Sequence, residues 1–346
     1  MTEVQLRSVA KRFGDEVAIE ALDLRIPDGE LVALLGPSGC GKTTTLRMIS
    51  GLETPSAGQI LFEGRDVSGV SVQERNVGMV FQRYALFPHM TVEKNVAFGL
   101  SIRGLPKSEI AERVAEILGV VQLSEYRKRF PSQLSGGQMQ RVAIARTLIT
   151  EPDVLMMDEP LANLDTGLRG EMRRFIRELQ QRLGITTIFV THDQVEAMEL
   201  ADRVAVIFDG RLAQYGAPDR LYRKPASLNV ARFLGATNLV PGRLRDPDLV
   251  DTPLGTLVCP WRQGQTGDAV HVMARSELID IGTERTAPTD IEGRIIAREF
   301  FGATVSYSVA CQNTHVNVTE QARRMLELGA PVWLKLAPEH MWIIPE

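Results

Sequence analysis

The segment "ELVALLGPSGCGKTTTLRMIS", residues 30–50, constrains the fold of this chain more than any other. A compact apolar run ends in a glycine-rich turn, and the turn leads straight into a helix-like stretch. "GPSGCGKT" at 36–43 matches the eight-residue phosphate-loop pattern. The apolar strand before it and the helix after it are the context that pattern requires. Glycines let successive backbone N–H groups curl around phosphate oxygens, which bulky residues do only with strain. Lys42 supplies a mobile charge for the β- and γ-phosphates, and the Thr43 hydroxyl is placed for Mg²⁺. Cys40 fills a small position inside the loop.

A phosphate loop of this type sits at a strand end in a mostly parallel sheet, and the chain supplies one. Apolar segments at 77–82, 153–159, 185–192 and 203–216 have strand character, and 92–149 is rich in helix. Leu168, Met172, Phe175, Ile176, Leu179 and Leu183 recur at helical spacing and predict an amphipathic helix ending near Gly184. Residues 4–9 and 19–26 alternate as strands. Short buried strands between amphipathic helices define an α/β fold with helices on both faces of the sheet.

The ends of these strands carry the remaining chemistry. "VLMMDE" at 154–159 is a buried strand finishing in two acids, where open sheets place ligands. Burying adjacent carboxylates is costly unless a cation sits beside them. Asp158 is therefore the natural magnesium partner, while Glu159 points differently and is free to act on an attacking water. Gln82 ends another apolar strand, where its amide reaches a metal or a water. His192 suits a γ-phosphate contact and a structural cap equally. Phe13 suits stacking on a purine and core packing equally. Asp165 opens the amphipathic helix and reads as its cap.

A second glycine pair, Gly136–Gly137, stands in "PSQLSGGQMQRVAIART" at 131–147. It exposes backbone N–H groups at a helix head, which is another way to hold an anion. One nucleotide seldom needs two such devices from one chain.

The 346 residues, 44% hydrophobic and 24% charged, are enough for two or three cores. A formal charge of -4 gives no general attraction to nucleic acid. Cys40, Cys259 and Cys311 are far apart without metal-ligand spacing, which fits a reducing compartment. The first twenty residues carry no secretory pattern, and no apolar run approaches the length that spans a bilayer. From about Pro241 the texture becomes short β-type pieces broken by Pro and Gly, with a single helix-like stretch at 318–328. The expected domains are 1–238 and 239–346, the second a small all-β module whose strands close on one another.

Taken in order, residues 36–43, Gln82, "LSGGQ" at 134–138, the Asp158–Glu159 strand, "NLD" at 163–165 and His192 resemble the nucleotide-binding subunit of ATP-binding cassette (ABC) transporters. The resemblance implies a P-loop nucleoside triphosphatase cassette with a helical signature subdomain, followed by an OB-like regulatory domain. It implies ATP and Mg²⁺ as cofactors. ATP would be held by Phe13, Gly36, Pro37, Ser38, Gly39, Cys40, Gly41, Lys42, Thr43, Thr44, Gln82, Asp158 and His192. From a second copy of the chain, Ser135, Gly136, Gly137 and Gln138 would close the site. Glu159, His192, Lys42 and Gln82 would carry catalysis, and Thr43, Gln82 and Asp158 the metal. Asp165 would communicate across that homodimer.

"QRYALFPHMTVEKNVAFGL" at 82–100, "THDQVEAMELADRVAVIFDGRL" at 191–212 and the β-rich tail are similar to importer ATPases of the polyamine, ferric-iron, sulfate, phosphonate and maltose type. The implied partners are two transmembrane permease subunits and, indirectly, a solute-binding protein, with no nucleic acid. The implied place is the cytoplasmic face of the inner membrane, held peripherally. Tyr84, Leu86, Phe87 and Met90 are the expected grip on the permease. Polyamine is slightly preferred as the solute, with ferric iron and anions open. The same hydrolytic residues suit a soluble ABC-class ATPase of DNA repair or translation, or an exporter ATPase. The single cassette without a long heptad run, and the tail, favour import.

Overall fold

The computed structural model describes residues 2–260 and 264–346. The chain forms two compact units, one ending at Pro218 and the other spanning Asp219–Glu346.

The first unit is built on a six-stranded sheet. Its spatial order is Arg211–Gly216, Arg203–Phe208, Leu31–Leu35, Thr186–Thr191, Val154–Asp158, Val77–Val80. All neighbours pair in parallel except the first two, which form an antiparallel hairpin. Leu31–Leu35 and Thr186–Thr191 are buried at every residue, as expected for strands covered on both faces. Register decides where the site lies. Leu35 pairs with Thr191, Asp158 with Val190, and Val80 with Met157. The residues that follow these strands therefore leave the sheet at one edge, side by side.

A separate four-stranded antiparallel sheet begins with the hairpin Val4–Phe13 and Glu16–Ile26. Its turn is tight enough to place Gly14 in the left-handed region at φ +58°. Three helices, Val92–Ile102, Lys107–Val120 and Gly136–Leu148, pack together in the helix-rich stretch. The amphipathic helix is Thr166–Leu183, closed by Gly184 in the left-handed conformation. No helix among the described residues is long and apolar enough to cross a membrane.

The second unit holds two five-stranded antiparallel sheets around one core that includes Val272, Tyr307, Val309 and Leu334. It is the small, near-barrel all-β module expected of the tail. Arg275 is the largest fully buried side chain and forms no ion pair within 4.0 Å among the described residues. Its guanidinium donates to the carbonyls of Leu234 at 2.7 Å and Tyr222 at 2.5 Å, and it stacks on the Tyr222 ring. These contacts bind the helical residues 219–234 into this unit.

One expected element is absent. Residues 318–328 are not a helix: Thr314–Gln321 is a strand paired in full register with Thr304–Cys311. Cross-strand packing of Val316 and Val318 overrides the local periodicity. The chain then turns, and the Tyr307 hydroxyl accepts from the Leu326 N–H at 2.9 Å.

Candidate active site

The phosphate loop is a close-fitted cradle. A Cβ on Gly36 would lie 2.2 Å from the Ile207 carbonyl oxygen, and one on Gly41 would lie 2.4 Å from Ile19 Cδ1. Gly41 also has φ +101°, so two independent constraints exclude any side chain there. Lys42 is buried, and its ammonium donates to the carbonyls of Gly36 at 2.7 Å and Pro37 at 2.8 Å. The loop thus curls around its own cation. Cys40 is buried beside it, and burial pushes the thiol pKa up despite the nearby Lys42 charge. Cys40 is structural in this setting.

The acidic strand meets the loop directly. The Thr43 hydroxyl donates to Asp158 Oδ1 at 3.0 Å. Burial raises the Asp158 pKa, and the Glu159 charge adds to the effect, against Thr43, Arg47 and Lys42. A desolvated carboxylate beside a hydroxyl is a hard-oxygen donor pair, and it suits Mg²⁺, which takes few protein ligands and keeps its remaining positions for water and phosphate.

Glu159, like Asp209 at the same edge of the sheet, holds a strained left-handed backbone, at φ +44°. A non-glycine residue holds that conformation only where its surroundings enforce it, at a cost of about 1–3 kcal/mol. The Glu159 N–H donates to the Val190 carbonyl at 3.1 Å, and the Glu159 carbonyl accepts from Ala162 at 3.2 Å. The twist re-aims the side chain away from that of Asp158. Glu159 Oε1 then lies 3.3 Å from His192 Nδ1, across the gap between neighbouring strands.

Gln82 is exposed two residues beyond the edge strand, and its carbonyl accepts from Asn163 Nδ2 at 2.7 Å. That bond joins the loop after Gln82 to "NLD", a link that leaves no trace in the spacing. Phe13 is 48% exposed, with the Lys11 ammonium 4.8 Å from its ring centre, so it does not belong to the core. Asp165 accepts from the Leu168 N–H at 3.0 Å and is the cap of its helix.

The second glycine pair lies elsewhere. Ser135 caps the helix Gly136–Leu148, accepting from Gln138 N, while Gln138 Oε1 accepts from Ser135 N at 3.0 Å. This reciprocal capping box was readable in the S-x-x-Q spacing. Among the described residues, no hydrogen bond joins any of them to the phosphate loop of the same chain. Tyr84, Leu86, Phe87 and Met90 are all partly buried. Phe87 packs on Phe98 with ring centres 4.4 Å apart, and the wholly buried Asn95 holds the carbonyls of Phe87 and Met90.

Comparison with known proteins agrees with this geometry. A family model described as "ABC transporter" matches residues 19–162, and one described as "TOBE domain" matches residues 272–344. An Fe(3+) ions import ATP-binding protein, FbpC of Photorhabdus laumondii, is 54% identical over 99% of this chain and 97% of its own length. A spermidine/putrescine import ATP-binding protein, PotA of Thermobifida fusca, is 42% identical over 99% of this chain and 93% of its own. A dimeric ATP-binding cassette solved in a post-hydrolysis state with ADP and Pi matches with TM-score 0.55 and 31% identity, over 62% of this chain and 98% of that one. The chain belongs to the ABC transporter family, as an ATP-hydrolysing subunit.

Proposed function

We propose that this chain powers an importer of ferric iron, working at the cytoplasmic face of the membrane with two permease subunits and a solute-binding protein. The observation that carries the solute is the 54% identity to the ferric-iron import ATPase, sustained over 99% of the chain. Polyamine import is the second reading and rests on the likeness to the spermidine/putrescine protein, at 42%.

In this reading two copies face head to tail. Each ATP lies on residues 36–44 of one copy, with Phe13 on its adenine, and under Ser135, Gly136, Gly137 and Gln138 of the other. Support comes from the self-capped signature helix, which among the described residues makes no hydrogen bond to the phosphate loop of its own chain, and from the dimeric state of the similar cassette. Thr43, Asp158 and Gln82 would hold Mg²⁺, and the ion, when bound, would neutralise phosphate charge. Lys42 leaves its carbonyl partners for the phosphates and stabilises the transferring phosphoryl group. Glu159, aimed apart from Asp158 by its backbone twist, takes the proton of the attacking water, and His192 beside it holds the γ-phosphate.

Uptake in cells lacking the gene tests the solute. Restoring the chain is expected to restore uptake of labelled ferric iron and to leave labelled spermidine unchanged. Restored spermidine uptake alone would overturn the first reading in favour of the second.

A further inference from the structure

Glu196 is a buried acid that the chemistry above does not use. It is only 4% exposed, in the short helix Gln194–Leu200 that follows His192. Burial raises its pKa and the Asp193 charge adds to this, against the bond from Thr191 and the charges of Arg169 and Arg173. Both arginines come from the amphipathic helix packed against it. An apolar side chain of similar size would fill the same space at lower cost. What the acid supplies is direction. The buried Thr191 hydroxyl donates to Glu196 Oε2 at 2.5 Å and accepts from the Asp193 N–H at 3.0 Å. Asp193 Oδ1 in turn accepts from the N–H of Glu196 at 3.3 Å and that of Val195 at 2.8 Å. Thr191, Asp193 and Glu196 thus close a ring of hydrogen bonds, and His192 is the residue carried in its turn. Thr191 ends the strand paired with Leu35, so the ring is anchored beside the phosphate loop. The His192 side chain is 55% exposed, and an imidazole so open takes its direction from the backbone that bears it.

We propose that Glu196 is a positioning residue of the ATPase: through the Thr191 hydroxyl it fixes the turn that aims His192 at Glu159 and at the γ-phosphate. The inference rests on the function proposed above, in which His192 holds that phosphate. The amphipathic helix extends the arrangement. Arg169, whose charge reaches Glu196, donates to the carbonyls of Leu164 at 2.9 Å and Ala162 at 3.3 Å. The acid therefore stands between the turn of His192 and the loop that follows Glu159.

Glu196→Met and Thr191→Val each remove the bond and keep the bulk. Each is expected to lower kcat roughly ten- to a hundredfold, the scale of a group misplaced by about 1 Å, with KM for ATP within about threefold. Both remove one interaction, so the double variant should be no slower than the slower single. Glu196→Gln and Thr191→Ser can still make the bond and should keep kcat within about threefold of wild type. A wild-type kcat in either truncation, losses that multiply in the double, or conservative variants as slow as the truncations would each overturn the proposal. A second readout needs neither ATP nor turnover. The chain has five histidines, and the ring signals of His192, identified by their loss in His192→Ala, are followed by NMR. Glu196→Met should shift these signals and leave those of His89, His271, His315 and His340 in place. Thr191→Val should do the same, and carries the reading alone if Glu196→Met does not fold. Unmoved His192 signals, or movement of all five, overturn the positioning role. A wild-type chain without ATPase activity, or a wild-type rate in His192→Ala, sinks the proposed function instead, and the NMR result still decides on Glu196.

Discussion

The chain contains two glycine-rich devices for an anion, and they are built on opposite principles. The loop at 36–43 is fitted from within: Gly36 and Gly41 have no room for a side chain, Lys42 is buried in the curl, and Thr43 is bonded to Asp158. The signature helix is complete without any of this. Ser135 and Gln138 satisfy each other, Gly136 and Gly137 have ordinary helical backbone, and a Cβ on Gly137 would meet Leu168 at a comfortable 3.7 Å. In the proposed function the first device holds its ligand inside its own chain. The second is capped on its own terms, with Ser135 exposed and Gly137 buried, and would act on another copy.

The largest expected effect breaks the chemistry of the first device. Glu159→Gln should lower kcat by about 10²–10⁴ with ATP affinity little changed, the range for losing a general base; single-turnover kinetics checks it. If turnover persists within tenfold, Glu159 is not the base. Next comes the fit of the loop. Gly41→Ala meets both a forbidden φ and Ile19, so it should abolish ATP binding or folding, seen by nucleotide titration and thermal melting.

Asp158 gives a prediction of opposite sign for stability and function. Its raised pKa means that folding favours the protonated form, so its contribution to stability falls as pH rises through the folded pKa. Asp158→Asn should therefore raise the nucleotide-free Tm at neutral pH while removing stimulation by Mg²⁺. The wild type should also lose Mg²⁺ affinity on acidification earlier than an ordinary aspartate would. An unchanged Mg²⁺ response in the variant would remove Asp158 from the metal.

The smallest effect probes the second device. Gly137→Ala has space and a helical backbone, so it should stabilise the isolated chain by roughly 0.5–1 kcal/mol in chemical denaturation. Lost stability would mean that this end of the helix is as tightly fitted as the phosphate loop.

The same contrast explains what was legible in the sequence. The loop at 36–43, the Asp158–Glu159 strand end and the signature segment announce themselves because local spacing carries their chemistry, and the order of the sheet follows from their register. What stayed hidden is held by side chains bonding distant carbonyls, which no period reveals. Arg75, buried, donates to Met48 at 2.6 Å and Ile49 at 2.8 Å, and Asn163 joins itself to Gln82. Arg275 does the same in the second unit. The stretch 318–328 misled because Met325 and Leu328 fit a helical stripe yet are exposed, while Val318 is buried as part of a strand and Leu326 in the turn that follows.

The central claim, that the two devices meet only between copies, is tested most directly with Ser135→Arg. Losing the cap should cost the isolated chain about 0.5–2 kcal/mol and leave it folded. Binding of ATP to the single chain should stay within about threefold of wild type, because residues 36–43 are untouched and one hydrogen bond's worth of binding sets that scale. ATP-driven dimerisation, followed by light scattering in the Glu159→Gln background, and turnover in the Ser135→Arg single variant should both be lost. Normal hydrolysis by Ser135→Arg would contradict the account.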